Sequence, residues 1–258
     1  MIDYSHQTTL ITGASSGIGA EFARQLAARG SNLVLVARRR DRLDSLAASL
    51  PSVRVDVIEL DLTLPGAGAT LVARVADLGI TVTSLINNAG FGTAQPFRTE
   101  DPARIADEIA LNVGSVVDIS RAFINGLMDA GTGVLVNVSS VAGYFPGPNS
   151  AVYSATKAFV LSFTEALWFE SRASGLRVLS LAPGATRTEF FEVIGSEDLA
   201  AGSAMQTSAD VVGTALRALD RRRSVPSVVS GRRNSITVVA GRLLSRRRVV
   251  LLAGSIGS

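Results

Sequence analysis

Short apolar runs rich in Val, Leu and Ile recur along the chain, separated by longer stretches in which apolar residues return every three or four positions. The runs at residues 8–12, 32–37, 53–60, 82–86, 133–138 and 176–181 predict strands, with a seventh at about 225–230. Most of these runs are continuously apolar rather than alternating, the pattern of strands covered on both faces. Between them the 3.6-residue period predicts helices, among them 17–28, stopped by Gly30, one from about 150 to 173, and one near 208–219. Strands alternating with helices give an α/β class: a doubly wound parallel sheet with helices on both faces. No repeat or linker divides residues 1–231, which read as a single domain followed by an extension at 232–258.

Composition narrows the chemistry. With 258 residues and 47% hydrophobic content the chain can build a substantial core. No run reaches the roughly 18–20 apolar residues of a membrane span. The first residues, Met-Ile-Asp-Tyr-Ser-His-Gln, lack the basic-then-apolar order of a secretory leader, so the expected location is cytoplasmic. There is no cysteine, and the one histidine, His6, precedes the first strand, so thiol chemistry and Cys- or His-built metal sites are not expected. Tyr, Ser, Lys and carboxylates are left to carry any reaction. The net charge of +3 divides into +9 from Arg221 onward, where nine arginines meet no acid, and −6 for the preceding body.

Two local patterns point to a site. The first strand runs into Thr12-Gly13-Ala14-Ser15-Ser16-Gly17-Ile18-Gly19 and then a helix. In that position a glycine turn lets backbone N–H groups and a helix N-terminus face a pyrophosphate. The second strand ends in Ala37-Arg38-Arg39-Arg40. NAD-binding folds place an acid there to hold the ribose hydroxyls, whereas a guanidinium suits a 2′-phosphate, so NADP(H) is expected ahead of NAD(H), with Arg38 as the leading contact and Arg40 as the solvated start of a helix. The second pattern is Tyr153 and Lys157, one helical turn apart, where Lys157 is the only lysine beside 24 arginines. A neighbouring ammonium favours phenolate and is expected to lower the proton affinity of Tyr153.

Together these residues resemble the short-chain dehydrogenases/reductases, of the compact type with about 250 residues, over nearly all of residues 8–231. Thr12 to Gly19 resembles the family's TGxxxGxG turn, with Gly13, Ser15, Ser16, Gly17, Ile18 and Gly19 toward the cofactor. Asp61 and Leu62 resemble its adenine-contacting pair, although Asp61 also reads as the N-cap of a following helix. Asn87-Asn88-Ala89-Gly90 resembles the NNAG element, where Asn88, Ala89 and Gly90 either meet the cofactor or hold neighbouring backbone. Asn112 matches the helix asparagine, and Ser140, 13 residues before Tyr153, the family serine; its neighbour Ser139 reads as structural. Pro183-Gly184 with Thr188 resembles the segment that holds the nicotinamide carboxamide. The resemblance implies a Rossmann-type fold, hydride transfer with Tyr153 as acid/base, and Lys157 on the nicotinamide ribose. It further implies Ser140 on the substrate oxygen and Asn112 holding a water that links Lys157 to solvent.

The implied substrate is a small hydrophobic carbonyl or alcohol. Phe190, Phe191, Val193 and Ile194 in a covering loop at about 189–207, with Phe91 and Phe145, suggest an apolar pocket, or else a seal over the core. Phe163 and Trp168 read as packing or interface residues. A homodimer or homotetramer is implied. The basic extension reads either as a helix folded against the body or a partner subunit, or as a peripheral membrane contact. Nucleic acid is not an expected partner, because the basic segment lacks interleaved aromatics and a recognition motif. An NAD-dependent alcohol dehydrogenase and a non-catalytic dinucleotide-sensing or membrane-recruited protein are the alternatives.

Overall fold

The computed structural model describes residues 2–190 and 205–256. Its seven strands are β1 (Thr8–Thr12), β2 (Asn32–Ala37), β3 (Val55–Glu59), β4 (Ser84–Asn87), β5 (Val134–Val138), β6 (Arg177–Ala182) and β7 (Ser227–Val229). They form one parallel sheet in the order β3-β2-β1-β4-β5-β6-β7. The helices are α1 (Gly17–Ala27), α2 (Arg40–Ala48), α3 (Ala67–Asp77), α4 (Pro102–Ile109), α5 (Ser115–Ala130), α6 (Ala151–Glu170), α7 (Ser208–Leu219), α8 (Arg232–Arg242) and α9 (Arg246–Ile256).

β2 shows why the strands read as unbroken apolar runs. Leu33, Leu35 and Ala37 point into the layer shared with α1, α2 and α7, where Phe22, Leu26, Leu43 and Leu216 are buried. Val34 and Val36 point into the opposite layer, with Leu71 and Val75 of α3 and Ile119, Phe123 and Leu127 of α5. Each such side chain withdrawn from water contributes about 1.5–3 kcal/mol, and neither sheet face is left over for solvent. Strand ends differ from the apolar runs where the ladder stops. The run at 53–60 extends beyond β3 because pairing with β2 spans only Leu33↔Val55 to Ala37↔Glu59.

Three local features escape the hydrophobic pattern. Between α4 and α5 the backbone forms a π-helical turn at Ala110–Gly114, which widens the helix around the fully buried Asn112. The extension is two helices rather than one. α8 buries Val238 and packs against the body: a Cβ on Gly241 would stand 2.2 Å from Phe145 Cε1, and one on Gly184 2.2 Å from Asn234 Nδ2. Ile236, Val239, Leu243, Leu251 and Leu252 remain exposed. Among the described residues no helix is long and apolar enough to cross a membrane. The expected loop at about 189–207 lies mostly outside the described residues, as do Phe191, Val193 and Ile194. Its two ends are tied together, since Gln206 N–H donates to Ala185 O and Arg187 N–H to Gln206 O, both at 2.9 Å.

Leu35→Ala leaves a cavity between β2 and α1 and is expected to cost about 2–5 kcal/mol in urea unfolding, whereas Leu64→Ala, at a side chain 60% exposed, stays within about 0.5 kcal/mol.

Candidate active site

The strand order reverses between β1 and β4, so the chains leaving their C-terminal ends part and open a crevice. Thr12, at the tip of β1, fixes one wall. Its hydroxyl oxygen accepts the N–H of Asn88 at 2.9 Å and of Ala89 at 3.1 Å and donates to Ile86 O at 3.4 Å. The Asn88 amide donates to Thr12 O at 3.0 Å and Gly13 O at 3.3 Å. Asn88 and Ala89 therefore hold the glycine turn in place, while Asn87 is buried on Ser120 and Asn137. Gly13 has φ +64°, and a Cβ there would stand 2.9 Å from Ala89 Cα; one on Gly19 would stand 2.3 Å from Gly13 O. Backbone this closely nested, with Ser15 and Ser16 at the N-terminus of α1, is a cradle that suits a pyrophosphate.

At the end of β2 the structure redistributes the expected roles of the arginines. Arg38 is largely exposed and lies 3.9 Å from Asp61. Arg39, not singled out by sequence, reaches the glycine turn: its Nη2 donates to Ser15 Oγ and Ser16 Oγ, both at 3.0 Å, and its Nη1 to Glu189 at 2.9 Å. Arg42 also pairs with Glu189. Arg40 pairs with Asp44 on the surface, as a solvated helix residue would. Asp61 does not cap α3, whose N-cap is Gly66. It accepts the Thr63 N–H at 3.0 Å and hydroxyl at 2.8 Å instead, and these bonds hold its carboxyl below the usual range. Leu62 belongs to the core by its side chain.

On the other wall, Ser140 follows β5 and caps a 3₁₀ turn at Val141–Tyr144, accepting Ala142 N–H at 3.1 Å. The same hydroxyl acts on the Tyr153 phenol, lowering its proton affinity. Tyr153 and Lys157 share one face of α6, with Lys157 Nζ 5.8 Å from the Tyr153 ring centroid and donating to Val138 O at 3.0 Å. Ser139 donates to Lys157 O at 2.7 Å, a packing bond. Asn112 donates to Phe91 O at 2.8 Å and Thr156 Oγ1 at 3.1 Å and accepts Phe91 N–H at 3.1 Å. A Cβ on Gly90 would stand 2.8 Å from Asn112 Oδ1 and 3.2 Å from Lys157 Nζ, and one on Gly92 2.7 Å from the Tyr153 ring. Pro183 O accepts Val141 N–H at 2.9 Å, and Thr188 lies over Gly17, joining the segment after β6 to both walls.

Burial pushes the Tyr153 phenol up to about 12, against the Ser140 hydrogen bond and with the Glu108 charge adding to the rise. Burial lowers Lys157 to about 8, opposed by Glu108. The expected lowering of Tyr153 by Lys157 is thus not the dominant effect here: the ammonium is directed at Val138 O and desolvation outweighs it. The Phe190 ring is 5.5 Å from that of Tyr153. Phe145 is engaged by α8, and Phe91 packs under the Arg104 guanidinium at 4.8 Å. Trp168 Nε1 donates to Ser224 Oγ at 3.1 Å, and Phe163 stacks on Phe159. The buried Glu108, whose charge acts on both Tyr153 and Lys157, was missed by sequence; only its spacing of four from Asn112 marks it.

A family profile described as short chain dehydrogenase matches residues 7–198. Sulfoacetaldehyde reductase 2 of Chromohalobacter salexigens is 39% identical over 199 residues, 76% of this chain and 79% of that protein. A very-long-chain 3-oxoacyl-CoA reductase of Bos taurus is 31% identical over 191 residues, 71% of this chain and 61% of that one. Among solved structures, a short-chain dehydrogenase from Sphingobium yanoikuyae in complex with NADPH superposes with a TM-score of 0.79 at 35% identity, covering 92% of this chain and 94% of that one.

The depressed lysine has a signed consequence. An unfolded lysine titrates at 10.5 and the folded one at about 8, so the buried charge opposes folding below pH 8 and the opposition fades as pH rises toward 10.5. Lys157→Met is expected to be about 2–3 kcal/mol more stable than wild type at pH 7 and nearly equal to it above about pH 10, by urea unfolding at the two pH values.

Proposed function

The chain belongs to the short-chain dehydrogenase/reductase family, and from that premise we propose that it is an NADP(H)-dependent carbonyl reductase in which Tyr153 is the acid/base. As a family member it is an NAD(P)-dependent oxidoreductase acting on carbonyl or alcohol groups. The observation that carries the fuller reading is the convergence of Ser140, Tyr153 and Lys157 on one side of the crevice, with the Gly13–Gly19 turn on the other.

The glycine turn and the N-terminus of α1 suit the pyrophosphate of a dinucleotide. Arg39, bonded to the turn, and Arg38 beside it suit a 2′-phosphate; residues 37–40 carry no acid, and Glu189, paired with Arg39, is the carboxylate a 2′-phosphate would displace. The NADPH complex of the Sphingobium relative supports this preference over NAD(H). When bound, the reduced nicotinamide supplies the hydride. Tyr153 gives its proton to the carbonyl oxygen as negative charge develops there, and a phenol held neutral by burial is in the correct state for that task. Ser140 steadies the same oxygen by hydrogen bonding. Lys157 would hold the ribose hydroxyls of a bound dinucleotide, and its charge would favour the phenolate left after transfer. Asn112 fixes the Phe91 backbone and the Thr156 hydroxyl around Lys157, a positioning role in addition to any held water.

For the substrate, Phe190 against Tyr153 and the similarity to a very-long-chain 3-oxoacyl-CoA reductase support a hydrophobic ketone or aldehyde. A second reading, a short aldehyde carrying an anionic group, is favoured by Arg242, whose guanidinium lies 5.8 Å from the Tyr144 ring beside the serine turn, and by the similarity to sulfoacetaldehyde reductase. A homo-oligomer fits the family, and the exposed apolar side chains of α8 and α9 are compatible with burial in one.

Turnover of a panel of apolar ketones and short anionic aldehydes, followed by NADPH oxidation, separates the two substrate readings. Tyr153→Phe is expected to lose at least about a hundredfold in kcat, and full activity in that variant would overturn the mechanism. Arg39→Ala is expected to weaken NADPH binding by about tenfold to a hundredfold while leaving NADH binding within about twofold, by fluorescence titration.

A further inference from the structure

Behind the Tyr153–Lys157 wall lies a polar cluster that the proposed reaction does not use. Glu108, on the last turn of α4, is fully buried, and Glu100, just before that helix, is 7% exposed. Thr93, itself 6% exposed, lies between them. Its hydroxyl is within hydrogen-bond reach of Glu108 Oε2, at 3.0 Å, and of Glu100 Oε1. A hydroxyl has one hydrogen, so it donates to one carboxylate only. The other contact holds only if that carboxyl carries a proton and donates to Thr93 Oγ1. The arrangement accommodates one proton shared between the two carboxyls through the Thr93 hydroxyl, which leaves one negative charge.

The placement of that charge gives it a role. Thr93 follows Gly92, which abuts the Tyr153 ring, and Glu108 lies one helical turn before Asn112, whose amide stands beside Lys157. Lys157 is 5% exposed and, among the described residues, has no carboxylate within ion-pair distance. A buried ammonium held only by a carbonyl, with no carboxylate in contact, needs its counter-charge from the next layer. We propose that Glu108, sharing one proton with Glu100 through the Thr93 hydroxyl, is the counter-charge of Lys157 and a positioning residue for the Tyr153–Lys157 pair. The groups facing it are Glu100 from the preceding segment, Arg104 from its own helix, Thr93 from the connection after β4, and Tyr153 and Lys157 from α6. Its charge favours the protonated form of both Tyr153 and Lys157, and burial raises Glu108 itself to about 7. Glu108 is the carboxylate whose charge acts on Tyr153 and Lys157, so the side of the pair on which the proton sits sets the field at the reacting phenol.

The inference rests on Tyr153 and Lys157 being the acid/base pair, and its test separates the two ideas. In the reduction direction Tyr153 and Lys157 must both be protonated, so the alkaline limb of kcat/KM against pH reports the first of the pair to lose its proton, which burial makes Lys157. Glu108→Gln keeps the shape, moves the charge to Glu100 and is expected to shift that limb down by about 0.5–1 pH unit. Glu100→Gln lets its amide donate to Thr93 Oγ1 and Thr93 donate to a fully charged Glu108, so the limb stays or moves up. An unmoved limb in Glu108→Gln, or equal shifts of the same sign in both variants, overturns the proposal while leaving the reductase reading intact. Absence of turnover in the wild type with every carbonyl tried would instead count against that reading. A measurement independent of activity and of variant folding is the infrared carboxylic-acid C=O band of the wild-type protein. The shared proton predicts a buried band that persists to about pH 6–7 and disappears by about pH 9, and no such band would sink the idea.

Discussion

A lysine ammonium that is nine-tenths buried carries a desolvation cost that nothing in a hydrophobic core repays, and its surroundings must be polar, fixed and opposite in sign. At Lys157 the fixed dipole is the Val138 carbonyl at the end of β5, and the Asn112 amide lies nearby across Gly90. That one requirement constrains three elements. β5 must end where its last carbonyl points out of the ladder toward α6. The helix after α4 must open into a π-helical turn so that Asn112 is buried rather than on the solvent face. Residue 90 must be a glycine, since any Cβ there would stand between the amide and the ammonium.

The same economy of space governs the opposite wall. Thr12 satisfies two backbone N–H groups of the β4 exit with one hydroxyl, and this lets β1 and β4 end side by side although their chains then diverge. Glycines 13 and 19 let the turn fold back on itself, and Thr188 brings the segment after β6 onto Gly17. Parallel strands place all these ends on one edge of the sheet. A site assembled from residues 12–19, 88–92, 138–157 and 183–188 is therefore a local cluster in space despite its spread along the chain.

The sheet and most helices were legible in the sequence because burial on both faces writes itself as unbroken Val, Leu and Ile runs. The Tyr153–Lys157 pair was legible because lysine is unique here. Arg39 was not separable from Arg38 by sequence, because adjacent residues at a strand end diverge according to backbone direction, which no period encodes. The π-helical turn at Ala110–Gly114 leaves no signature in Ala-Leu-Asn-Val-Gly. Glu108 sits in Ala-Asp-Glu-Ile, where a surface glutamate is the ordinary expectation, and only the tertiary packing of α4 on α6 buries it. The seating of α8 on the body depends on contacts with Phe145 and Gly184, residues far away in sequence.

The choice of lysine in a chain that otherwise uses arginine for every positive charge follows from these constraints. A guanidinium is planar, spreads its charge over three nitrogens and presents five donors in a rigid fork. At position 157 it would meet one carbonyl, one amide oxygen and a glycine-sized gap, leaving donors buried without acceptors. An ammonium places its charge at a single atom, so one carbonyl can hold it. Lysine also has a proton affinity that burial can lower into the range where protons move at neutral pH, and arginine does not. The arginines, in turn, stand where their geometry is an advantage: Arg39 bridges two serine hydroxyls and a carboxylate at once, a forked contact that no ammonium could make in one plane.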